Sequence, residues 1–150
     1  MPILENVCRY LDDEHWAYTL VAAKGLIFFD VSGEKGTLSC VLVADEELQC
    51  LSLLTQIGVV VPVIKRLRMA DYIARVNYAL LLGCFEQNVD TGDLRFRISM
   101  PLAGSELSRQ QLRDIIATSI YTVDRYYSGV MMLIYRNATA MEAMRANSPE

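Results

Sequence analysis

The sequence predicts an α+β domain: an antiparallel five-stranded sheet packed by helices, in the order α-β-β-β-α-β-β-α. Three observations predict it. Leu94, Phe96, Ile98 and Met100 alternate with Arg95, Arg97 and Ser99, the period-two pattern of a half-buried strand. Leu112, Ile115, Ile116, Ile120, Val123, Tyr127, Val130, Met131 and Ile134 recur at intervals of three and four, the spacing of a long helix. Between residues 26 and 55, three short apolar runs are separated by turn residues, as in an antiparallel meander.

In chain order, Ile3, Leu4, Val7, Cys8 and Leu11 predict a helix over residues 2–13. Asp12-Asp13-Glu14 ends it, because acidic charge at the C-terminal end opposes the helix dipole. Residues 16–23 fit either an irregular lead or a short edge strand. Strands follow over 26–31, 37–43 and 48–55, broken by Gly33-Glu34-Lys35-Gly36 and by Asp45-Glu46-Glu47. Cys40 and Cys50 fall close to opposite one another across the second turn, which leaves open a disulfide or half a metal site. With no second ligand pair and no nearby His, packed thiols are the reading adopted, and Cys84 is read the same way.

Pro62 suits the first position of a second helix. Its expected buried stripe is Val63, Leu67, Ala70, Ile73, Ala74, Asn77, Leu80 and Leu81. Lys65, Arg66 and Arg68 lie on the other side, as solvated surface or a contact for an acidic partner. Asn77 is a polar amide on an apolar stripe. It contacts a ligand or, in the preferred reading, bonds a neighbouring strand or the Leu82-Gly83 turn.

Asp90-Thr91-Gly92-Asp93 is turn chemistry, and folding at Thr91-Gly92 sets Val89 opposite Leu94, Gln87 opposite Phe96, Phe85 opposite Ile98 and Glu86 opposite Arg97. Arg95 and Arg97 then share a polar sheet face, solvated or in contact with an acidic peptide. The third helix starts at a capping box, Ser108 with Gln111, and Gly129 predicts a kink. Tyr121, Tyr126, Tyr127, Tyr135, Met131 and Met132 form a packed or partner-binding stripe, with packing preferred. Residues 138–144 read as a short final helix and 146–150 as a disordered tail.

The 150 residues make one domain, 1–150. A net charge of −4 argues against nucleic acid as a partner. The apolar runs Ile57–Ile64 and Ala79–Phe85 fall short of the roughly twenty residues of a membrane span. No secretory signal is visible and the cysteines read as reduced, so the cytoplasm is the expected location. His15 is the only histidine, and no phosphate loop, nucleophile elbow or Cys/His pair is present. Asp12, Asp13, Glu14, Asp90 and Asp93 sit at a helix end and a turn, where acidic residues are expected. The expectation is therefore a binding module with no catalytic residues, metal or cofactor.

Several spaced motifs resemble the YbjN-like family of bacterial sensory transduction regulators, especially its cyanobacterial members. They are Val61-Pro62, Arg75-Val-Asn77-Tyr78-Ala-Leu80, Gly83-Cys84-Phe85-Glu86, Asp90-Thr-Gly92-Asp93-Leu94-Arg95-Phe96-Arg97 and Thr122-Val-Asp124-Arg125-Tyr126-Tyr127. Cys84 stands where that pattern has Asn, and Arg136 where a glycine often ends the long helix. The resemblance implies a type III secretion chaperone-like fold, usually dimeric, that holds an extended segment of a partner protein. Asn77, Arg95, Arg97, Asp124, Arg125, Tyr126 and Met131 are the candidate partner-binding residues. The homodimer would bind a protein or peptide. The alternative is a small-ligand sensor or uncharacterised enzyme with a pocket between sheet and helices near Asn77, Arg95 and Arg97.

Overall fold

The computed structural model describes residues 2–147. Its helices are α1 (Ile3–Asp13), α2 (Arg66–Ala79), α3 (Arg109–Tyr135) and α4 (Ala140–Ala146). Its strands are β1 (Thr19–Val21), β2 (Leu26–Gly33), β3 (Gly36–Asp45), β4 (Cys50–Val60), β5 (Cys84–Gln87) and β6 (Asp93–Pro101). They form one antiparallel sheet of order β1-β2-β3-β4-β6-β5. The sheet has six strands rather than the expected five, because residues 19–21 pair with Phe28, Ile27 and Leu26. The order is α-β-β-β-β-α-β-β-α-α.

Alternation decides which face of the sheet is covered. Ile27, Phe29, Val31, Leu38, Leu42, Leu51, Leu53, Leu94, Phe96 and Ile98 point to the helices and are buried. The other face carries Phe28, Asp30, Ser39, Ser52, Gln56, Arg95 and Arg97. The long α3 lies across the covered face. Its capping box forms as expected: Ser108 accepts from the Gln111 N–H at 3.0 Å and Gln111 returns to the Ser108 N–H at 2.9 Å. The acidic end of α1 is held by Arg109, which reaches Asp13 at 2.7 Å and Glu14 at 3.0 Å.

Several expectations are corrected. The β5–β6 register is shifted by two residues: Gln87 faces Leu94, Phe85 faces Phe96 and Glu86 faces Arg95. Asn88 causes the shift. It closes a wider loop, its N–H donating to Asp93 and its side chain accepting from Asp90 and Thr91. An even shift keeps each side chain on its expected face. Cys40 faces Thr55 and Cys50 faces Asp45, so the two thiols are not opposed. The described cysteines are free, and burial pushes the Cys40 thiol up to about 11. Pro62 stays extended (ψ 145°) before a short 3-10 turn at Val63–Lys65.

The helix-two stripe is also corrected. Its buried residues are Met69, Tyr72, Ile73 and Val76, whereas Val63, Leu67, Ala74 and Leu81 face solvent. α3 runs unbroken through Gly129. The glycine instead makes room for Tyr72, whose hydroxyl lies 2.2 Å from where a Cβ would stand. The expected disordered tail of residues 146–150 is corrected at its first two residues. Ala146 closes α4 and Asn147 is buried on Tyr72, while residues 148–150 lie outside the described residues.

Candidate functional site: two unpartnered surfaces

The motif residues of α2 and β5 serve the fold. Asn77 donates from Nδ2 to the Phe85 carbonyl at 3.0 Å and accepts at Oδ1 from the Phe85 N–H at 2.8 Å. The amide thus gives β5 the backbone partner that an outermost strand lacks on its free side. Asn77→Ala should cost about 1–2 kcal/mol, because both Phe85 groups lose their partner. Fast amide exchange at Phe85 in the variant would confirm the stitch, and unchanged protection would sink it.

Arg95 and Arg97 lie on the open face of the sheet, whereas Asn77 meets the free edge of β5. Both reach Glu86, Arg97 at 2.8 Å and Arg95 at 3.5 Å. The two arginines leave the sheet on the face away from the helices, so a pocket between sheet and helices does not take in both of them and Asn77. Asp124 accepts from the backbone N–H of Glu34 at 2.9 Å and of Lys35 at 3.4 Å, fixing the β2–β3 turn. Arg125 lies 5.6 Å from the Tyr126 ring centre, and its guanidinium also bonds the Tyr121 hydroxyl at 3.4 Å. Tyr126 is buried, edge-on to Phe85, and Met131 packs half-buried against the core. The candidates occupy separate places rather than one site.

The basic cluster is absorbed as well. Lys65 donates to the Ile134 carbonyl near the end of α3, where the dipole favours a cation. Arg68 bonds the carbonyls of Asn137 and Ala138, and Arg66 those of Val61, Val89 and Asp90. These cations tie α2 to α3 and to the β5–β6 loop.

Two surfaces stand out among the described residues. The outer side of α2 and its flanks carries Ile64 at 89% exposure, Leu67 at 86%, Tyr78 at 95% and Leu81 at 94%. The signal for it was in the sequence, since α2 carries two apolar stripes and only one can face the core. Met69, Tyr72, Ile73 and Val76 are the set that does. The second surface is a cleft of about 700 Å³ beside β2, lined by Trp16, Tyr18, Phe28, Asp30, Val31 and Ile120 among others. No helix among the described residues is long and apolar enough to cross a membrane.

Comparison with solved structures finds the same fold at low identity. YbjN from E. coli matches with TM-score 0.61 and 13% identity, covering 91% of this chain and 92% of that one. A chain of the HopA1–SchA chaperone–effector complex matches at 0.57 and 14%, covering 81% and 91%. A chain of the ExsC–ExsE complex matches at 0.54 and 14%, covering 84% and 94%. These likenesses bear out the α+β, chaperone-like fold expected from the motifs. No curated protein matches. Residues 4–131 match the model of the YbjN family, described as "Putative bacterial sensory transduction regulator", and the chain belongs to that family.

Proposed function

We propose that this chain is a cytoplasmic, non-enzymatic, protein-binding module of regulatory or chaperone-like kind, and that the outer side of α2 joins two copies into a homodimer. The observation that carries the reading is that exposed apolar side. Covering it returns roughly 25 cal/mol per Å² of apolar surface, and four large apolar side chains each more than four-fifths exposed along α2 and its flanks favour a covering partner.

The spacing favours a second copy as the cover. A two-fold interface must be self-complementary. Leu67 and Tyr78 are equally far from the point midway between Tyr72 and Ile73, and so are Ile64 and Leu81. An antiparallel pairing of two α2 helices thus sets Leu67 against the partner's Tyr78, and Ile64 against the partner's Leu81. Asp71 and Arg75, paired within one helix at 2.8 Å, sit near the same midpoint and are placed to exchange partners across it. Membership of a family described as regulatory, and a fold shared with a chain of a chaperone–effector complex, support a protein as the further partner.

Sedimentation equilibrium tests the dimer. The expected mass at micromolar concentration is twice the 16.9 kDa of one chain. The double variant Leu67→Asp/Tyr78→Asp should sediment as one chain with an unchanged circular dichroism spectrum, since both side chains are exposed. A wild-type protein at 16.9 kDa would overturn the reading.

A further inference from the structure

β1 covers only part of the β2 edge. Thr19, Leu20 and Val21 pair with Phe28, Ile27 and Leu26, whereas from Phe29 to Gly33 β2 is paired only with β3. Upstream of Thr19 the chain peels away. Tyr18 donates to Asp12 at 2.9 Å, Trp16 lays its ring 5.5 Å from that of Phe29, and His15 turns through φ +57°. The fork between the departing chain and the bare edge is the cleft beside β2, and Ile120 of α3 stands in its wall. Among the described residues, the Asp30 carboxylate in this cleft makes no hydrogen bond or ion pair.

The geometry points to this cleft as the seat of an extended segment of a partner protein, one that adds to the β2 edge as a strand and alternates apolar, basic and apolar side chains. This inference rests on the protein-binding reading above and names the chemistry of the partner. A bare strand edge offers backbone donors and acceptors that only another extended backbone matches residue for residue. Period two then assigns the side chains. Those opposite Phe29 and Val31 fall on the covered side, beside Trp16 and Ile120, where an apolar group is favoured. The one opposite Asp30 falls on the open face, where a lysine or arginine finds an unpaired carboxylate. A helix would leave the edge unmatched.

The probe is a pair of labelled peptides of roughly eight residues, a usual strand length, alternating Val with Lys in one and Val with Glu in the other. Binding to the full chain is read by fluorescence anisotropy. The Lys peptide should bind about threefold tighter or more, the scale of one opposed charge pair across strands. Asp30→Lys should reverse the preference. Failure of both peptides to bind, or a preference that Asp30→Lys leaves unchanged, overturns the inference. So does a change in sedimenting mass on Asp30→Lys, which would mean that a second copy fills the cleft. Host proteins held equally by wild-type and Asp30→Lys chains would remove the cleft and leave protein binding standing. Retention of no host protein and no peptide by either chain would remove both.

Discussion

Phe96→Ala is expected to destabilise the fold by about 3–5 kcal/mol, the range for an aromatic side chain removed from a packed core. Phe96 is fully buried on β6, a strand paired on both sides. Its ring lies 4.9 Å from that of Phe85, which in turn meets Tyr126 edge-on at 5.8 Å. Collapse around the cavity is restricted, because Gly83 already brings the backbone up to the ring: a Cβ there would lie 2.4 Å from the Phe96 ring tip. Against a typical total stability of about 5–15 kcal/mol, such a loss takes a large share. The check is urea denaturation, with the midpoint falling at unchanged slope. A loss below about 1.5 kcal/mol would show that Phe96 is not the keystone of the β5–β6–α3 contact.

Gly129→Ala should also destabilise, by about 1–3 kcal/mol. The sign is opposite to that expected from helix propensity, which favours Ala over Gly by about 1 kcal/mol. Packing decides the sign. A Cβ at residue 129 would stand 2.2 Å from the Tyr72 hydroxyl, 2.7 Å from its Cζ and 3.0 Å from the Ala143 carbonyl oxygen. Tyr72 has no room to withdraw. It is buried, its hydroxyl donates to the Tyr126 carbonyl at 3.3 Å and accepts from Asn147 at 2.5 Å, and burial pushes that hydroxyl's pKa up to about 12. The displaced element should be α4, so amide exchange over residues 140–146 should quicken in the variant. The paired change Tyr72→Leu/Gly129→Ala should recover part of what Gly129→Ala loses beyond the cost of Tyr72→Leu alone. A higher melting temperature for Gly129→Ala would remove the account.

The two helices α2 and α3 show where the sequence sufficed. In α3 a single apolar stripe, a capping box and a well-marked start left one solution, and it forms. In α2 two apolar stripes compete, and periodicity cannot choose between them. Asn77 looked like part of the buried stripe, and its amide does end half-buried, but on the flank that meets β5. The hairpin gave its facing but not its register, because facing follows parity alone, whereas register depended on Asn88 closing the loop. All the candidate partner-binding residues but Met131 were motif residues, and in Asn77, Asp124 and Tyr126 the motif records tertiary contacts. Of the exposed apolar side of α2, Leu67 and Leu81 were visible as residues yet misplaced as core.

The sequence by itself determined the α+β class, the long third helix with its cap, the position of five strands and the family, because these follow from local periodicity, turn chemistry and motif spacing. Only the tertiary structure decided which side of α2 meets water, why Gly129 is a glycine, and where β1 leaves the β2 edge bare. The first two turn on contacts between residues far apart in the chain, such as Tyr72 with Gly129, and the third on where a short strand parts from its neighbour, and no local pattern encodes these.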